Sequence, residues 1–136
     1  TGFSKRLLLL CTLKEINERL QKVWKALKLG DLDRDELFSK GNTIRNIMEF
    51  ALKHFCVMFN IPIDIEQKYG YIELGDMRKK IKAEADIEIT QGLIITANEL
   101  SHDSGKKYSI EDIKLFYADV KKLIDGLQNY ICEKEI

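Results

Sequence analysis

Apolar residues in this chain recur at helical spacing over three long stretches, and that period commits the fold to helices packed on helices. In the first stretch, about Ser4 to Leu29, Leu10, Leu13, Ile16, Leu20, Val23, Trp24 and Leu27 fall on one stripe, while Lys14, Glu15, Glu18, Arg19 and Lys22 face away. Gly30 stops this helix, and Asp31 and Asp33 suit the turn that follows. Residues Asp33 to Lys40 are expected to add a further turn or two of helix before Gly41. Asn42 and Thr43 then offer an N-cap for a second long helix through Ile44, Ile47, Met48, Ala51, Leu52, Phe55 and Phe59, ending before the single proline, Pro62. Its strongly apolar, late-aromatic stripe marks it as the central helix.

Residues 61–75, with Pro62, two glycines and two tyrosines, break the pattern and read as an ordered connection. Two helical pieces are expected next, Asp76 to Ala85 and Ile87 to Leu100. Ile87, Ile89, Leu93, Ile94 and Ile95 resemble a strand in composition, but no partner strand is evident, so helix is the better reading. Ser109, with Asp112 three residues on, makes a capping-box-like start to the last helix, which aligns Ile113, Phe116, Tyr117, Val120, Ile124, Leu127 and Ile131. The sum is an all-α, four- to five-helix up-and-down bundle in one domain, with a long first helix over 1–30 and a core region over 41–131.

Length and charge narrow the function classes. The 136 residues suit one hydrophobic core, and 45% hydrophobic with 32% charged residues describe a folded chain. Basic and acidic residues number 22 each, so bulk electrostatic capture of nucleic acid is disfavoured while a local basic patch stays open. The longest apolar run, Leu7 to Thr12, is far too short to span a bilayer, and no small-residue cleavage site of a secretory signal is visible. A cytoplasmic protein without a membrane partner is therefore expected. Cys11, Cys56 and Cys132 are far apart, odd in number and set among apolar neighbours, without a CxxC pair. They read as buried thiols of a reducing compartment, and neither a metal site nor a cofactor is expected.

Three residues carry the chemistry. Arg45 and Glu49 stand four apart on the central helix and can touch, in a turn that Ile44, Ile47, Met48, Ala51 and Leu52 mostly bury. An ordinary surface pair of this kind contributes about 0.3–0.5 kcal/mol; position at the edge of the core raises its interest. Asn98-Glu99-Leu100-Ser101-His102 closes one helix and opens a polar loop, and histidine exchanges protons near neutrality. His54 follows Glu49 by five residues, a poor spacing for one helix face, and is secondary. Arg, Glu and His together suit cleavage of RNA without a metal ion. The 2′-hydroxyl loses a proton and attacks phosphorus, arginine binds the charged phosphate oxygens, and the 5′-oxygen leaves with a proton. No P-loop, GxSxG elbow, HExxH helix or EF-hand loop is present.

At these residues the sequence resembles a HEPN-type helical domain, and in particular the C-terminal nuclease region of bacterial anticodon nucleases. Those proteins carry an Arg-x-x-x-Glu-x-x-Phe-like helix and a downstream Asn-x-x-Ser-His-like segment. Here they stand as Arg45-Asn46-Ile47-Met48-Glu49-Phe50-Ala51-Leu52, with leucine in the last place, and as Asn98 to His102. The resemblance spans roughly Gly41 to Tyr130 and implies that Arg45, Glu49 and His102 form the catalytic set, with Asn98 and Ser101 beside the substrate. Many HEPN ribonucleases place an arginine before the asparagine of the second motif, where this chain has Ala97. Either Arg45 takes its part from the central helix, as in the anticodon-nuclease pattern, or the domain has lost catalysis. Similar regions also end larger RecF/SMC-like ATPases, in which case the first helix would be the tail of a coiled coil.

The resemblance thus implies a metal-independent endoribonuclease acting on structured RNA, a tRNA anticodon loop among its targets, in phage or stress defence. A homodimer with a composite site is expected, with an ATPase or regulatory protein as a further partner. Lys53, Lys106 and Lys107 are candidates for phosphate contact, against the plainer reading of solvated lysines. The alternative is a non-catalytic dimerisation or interaction domain, or a regulatory, antitoxin-like subunit, in which Arg45, Glu49 and His102 pin helices together. Convergence of the three in a solvent-reachable cleft favours the nuclease.

Overall fold

A computed structural model describes the backbone of residues 2–63, 74–101 and 106–134, with side chains from residue 11 onward within those ranges. It contains five helices, α1 (Gly2–Leu29), α2 (Arg34–Met58), α3 (Leu74–Ala85), α4 (Gln91–Glu99) and α5 (Ile110–Lys134), and no strand among the described residues. The chain is an all-α helical bundle, as the apolar period requires. The expected connection over 61–75 lies largely outside the described residues.

Helix boundaries follow from caps. Gly30, at φ +79, takes the left-handed conformation that ends α1. Asp33 then opens α2 with a reciprocal capping box: its carboxylate accepts from the Glu36 amide at 2.8 Å, and the Glu36 carboxylate accepts from the Asp33 amide at 3.3 Å. The expected break at Gly41 is not there. α2 starts at the Asp33 cap and runs unbroken through Gly41. Asn42 and Thr43 are therefore interior residues and not a cap; the Thr43 hydroxyl donates back to Ser39 O at 3.0 Å. Gly41 is a contact rather than a joint, since a Cβ there would lie 2.7 Å from Leu100 Cδ2 and 3.1 Å from Ile113 Cδ1. The end of α2 falls where expected, with Asn60 at φ 54 just ahead of Pro62.

α4 starts at Gln91 and not at the expected Ile87. Residues 86–90 form an irregular approach, ended by the Thr90 hydroxyl, which accepts from the Leu93 amide at 3.2 Å. Ile89 is 1% exposed, and its carbonyl accepts from Arg78 Nε at 2.5 Å, so this segment is anchored to α3 rather than wound into a helix. α5 begins with the expected box: the Ser109 amide donates to Asp112 Oδ2 at 2.9 Å and the Asp112 amide to Ser109 Oγ at 3.2 Å.

Side-chain contacts set the directions. Trp24 stacks on Tyr117, and Leu13 shares a pocket with Ile131, so α1 runs antiparallel to α5. Gly41 meets Ile113, and Phe55 and Phe59 meet Tyr130, so α2 runs parallel to α5. These three helices enclose the core; α3 packs on α2 and α4, and α4 on α5. α2 supplies the buried residues Leu37, Gly41, Ile44, Ile47, Met48, Ala51, Leu52, Phe55 and Cys56, as befits a central helix. Each large apolar side chain so buried contributes about 1.5–3 kcal/mol relative to exposure.

Of the cysteines, Cys56 is buried as expected, whereas Cys11 and Cys132 are exposed. Helical phase explains both. Cys11 precedes buried Leu13 by two residues, roughly 200° around α1, and Cys132 is turned roughly 100° from Ile131. Neighbouring apolar residues in sequence are not neighbours on a helix face.

Candidate functional site

Arg45, Glu49 and Lys53 occupy successive turns at one edge of the buried face of α2. Arg45 Nη1 meets Glu49 Oε2 at 2.8 Å, and Lys53 Nζ meets Glu49 Oε1 at 2.8 Å, so one carboxylate joins two cations. The Arg45 and Glu49 side chains are 21% and 14% exposed, which leaves the pair reachable yet mostly withdrawn from water. Such a position strengthens electrostatics relative to a fully solvated pair. The Arg45 Nε is buried and has no hydrogen-bond partner among the described residues.

The ion pair does not end at Arg45. The same Nη1 donates to Asn46 Oδ1 at 3.2 Å, Asn46 Nδ2 donates to Asn42 Oδ1 at 3.1 Å, and Asn42 Nδ2 donates to Leu100 O at 2.9 Å. Leu100 is the C-cap of α4. A continuous polar relay therefore links the edge of α2 to the exit of α4. Its direction is forced, because a guanidinium can only donate and a peptide carbonyl can only accept. Each amide has one orientation that serves both neighbours. Gly41 completes this junction by letting Leu100 close onto α2.

The α4 exit itself is a tight turn. Ser101 Oγ donates to Asn98 O at 2.6 Å and the Ser101 amide to the same carbonyl at 3.2 Å. Ser101 thus has a turn-closing role, and the Asn98 side chain is exposed. His102 lies outside the described residues, as do residues 103–105. Beyond them, Lys106 Nζ and Tyr108 Oη both reach Glu99 Oε2, at 3.0 and 2.5 Å, and Lys106 sits over the Tyr108 ring. This clasp joins the residues on either side of 102–105. Hydrogen bonds from Tyr108 and then Lys106 hold the Glu99 carboxyl below its usual range, while burial and then the bond to Glu99 push the Tyr108 hydroxyl up.

Arg45, Glu49 and Lys53 are thus brought together, and the relay joins Arg45 to Leu100 at the end of α4. Lys106 belongs to the Glu99 clasp; Lys107 is exposed. His54 is on a different edge of α2, lining a small apolar pocket with Leu13, Ile16, Ala51, Phe55, Ile124, Leu127 and Ile131. Its Nε2 is buried without a partner, burial lowers its pKa, and Phe50 stacks on its ring at 6.2 Å. The five-residue spacing from Glu49 separates the two as expected. Sequence reasoning missed Asn42 as a site residue. Its only local signal, a polar residue one turn before Arg45, also fits a cap.

Among the described residues, no group of three or more histidine, cysteine, aspartate or glutamate side chains is arranged to hold a metal ion. No helix among them is long and apolar enough to cross a membrane. Comparisons with protein-family models, curated proteins and solved structures find no match to this chain.

Proposed function

We propose that the chain is a HEPN-like domain acting as a metal-independent endoribonuclease on structured RNA, with tRNA anticodon loops as the first substrates to try. The observation that carries this reading is the polar relay from Leu100, two residues before His102 in sequence, to the Arg45–Glu49 edge. In this reading Arg45 binds the phosphate undergoing attack, Glu49 orients the guanidinium, and His102 moves a proton to or from a ribose oxygen. The 2′-oxygen bonds to phosphorus as the 5′-oxygen bond breaks, leaving a 2′,3′-cyclic phosphate and a 5′-hydroxyl. Lys53 supplies a second positive charge beside the phosphate, exchanging its exposed bond to Glu49 for one to RNA. A homodimer and a cytoplasmic location belong to the same proposal, as does control by an ATPase or regulatory subunit.

The test is incubation of a bulk tRNA pool with purified protein in EDTA, beside His102→Ala. Cleavage by the native protein that vanishes in the variant supports the reading. Absence of cleavage by both favours the second reading, a non-catalytic interaction domain. One observation speaks for that reading: Glu49 is already shared between Arg45 and Lys53 within a single helix, a geometry sufficient to brace α2.

A further inference from the structure

We infer that Asn42 is a positioning residue, which sets the Arg45 guanidinium and the exit of α4 as one unit. This rests on the nuclease reading for its purpose, but the coupling itself rests on geometry. An asparagine inside a helix is mildly unfavourable, because its amide competes with the backbone. Asn42 stands eight residues inside α2, half-buried, with each end of its amide committed: Nδ2 to Leu100 O and Oδ1 to Asn46 Nδ2. The bond to Leu100 O spans 58 positions of sequence and joins two helices. It also supplies a donor to one of the carbonyls that a helix end leaves without an intrahelical partner.

The one-way polarity gives the relay its physical content. Replacing the Asn42 amide by a carboxylate puts an oxygen against the Leu100 carbonyl, where two acceptors repel. If the Asn42 amide were turned over to suit a different neighbour, both of its bonds would fail together. Asn46 is exposed, so the relay is anchored at its half-buried member, Asn42, and Asn42 is where a change at Leu100 passes toward Arg45. Gly41 lies beside Asn42 and fixes the approach distance, so Asn42 fixes direction and Gly41 fixes spacing. The turn at Ser101, two residues from where the chain leaves α4, inherits both constraints.

The experiment compares native protein, Asn42→Asp and Asn42→Ala, with folding checked by urea melts. Two readouts are taken: the NMR resonance and exchange rate of the buried Arg45 Nε–H, and tRNA cleavage in EDTA. Both variants are expected to shift the Arg45 signal and speed its exchange, and to lower kcat ~10-fold with KM held, the loss of about one well-placed hydrogen bond. An unmoved Arg45 signal in both folded variants overturns the inference whatever cleavage does. Native-like kcat in both also overturns it when the native protein cleaves. A moved signal with no cleavage by the native protein sustains the coupling and removes the nuclease reading instead. Asn42→Ala separates loss of the bond from the added charge of aspartate, so failure of one variant to fold leaves the other to decide.

Discussion

Replacing Gly41 by alanine sets two well-measured effects against each other at one position. Alanine in a helix interior is favoured over glycine by about 1 kcal/mol, so the substitution should stabilise α2 if space allowed. Space does not allow it. The new Cβ would lie 2.7 Å from Leu100 Cδ2, 3.1 Å from Ile113 Cδ1 and 3.2 Å from Leu100 Cδ1. Ordinary carbon contacts are ~3.5–4.0 Å, so the nearest methyl must retreat by about 1 Å. Leu100 and Ile113 are both 0% exposed, so neither side chain has open space to enter. Overpacking of this kind costs about 1–3 kcal/mol, and the net prediction is a loss of about 1 kcal/mol, or about 4 °C in Tm. Gly126→Ala is the internal control. Nothing lies within 4 Å of its Cβ, so alanine there should gain about 0.5–1 kcal/mol. Urea melts of both variants, compared at equal m, should separate them by about 2 kcal/mol in opposite directions. Equal stabilisation by the two alanines would refute the packing role given to Gly41.

Three further outcomes are expected. His54 is held neutral by burial below its ordinary 6.5, so the unfolded chain binds the proton first and stability falls as pH drops below 6.5; the pH dependence of the urea midpoint should be shallower in His54→Leu, and identical slopes would contradict it. Burial raises the Cys56 thiol to about 11, so a thiol reagent should label Cys11 and Cys132 rapidly and Cys56 only on unfolding; three fast thiols would contradict the packing around α2. The Glu99 carboxyl, held low by Tyr108 and Lys106, contributes stability that is present above its ordinary 4.5 and lost as pH falls through its folded value. Glu99→Gln should remove that acid-side loss and speed hydrogen exchange around Lys106 and Tyr108, and unchanged exchange would mean the clasp is not formed in solution.

The helical class is legible because three apolar stripes and the capping box at Ser109 agree, and agreement between local and global signals is what specifies a fold. Gly41 shows where reading along the chain fails. Helix-breaking glycine and close-contact glycine look alike until the partner, Leu100, is known to lie 59 positions away. Asn42 misleads for the same reason, since an asparagine after a glycine fits a cap, while the cap that forms is at Asp33. Ile87 and Ile89 fit no helix face because they are not in one; Thr90 carried the true start. The Arg45–Glu49 contact is legible because the spacing of four fixes it, and the same spacing brings Lys53, expected only as a phosphate contact, onto Glu49. The asparagine relay is not legible, because it depends on where α4 ends against α2.

The proposed chemistry requires Arg45 and His102 to act as one unit on RNA. Single-turnover cleavage of a tRNA pool in EDTA would be measured for the native protein, Arg45→Met, His102→Ala and the double variant, with product ends identified. Groups serving one step give strongly non-additive losses. The native protein should leave 2′,3′-cyclic phosphate ends, and the double variant should be no slower than the slower single. Losses that multiply, or cleavage that survives in both singles, would contradict that chemistry.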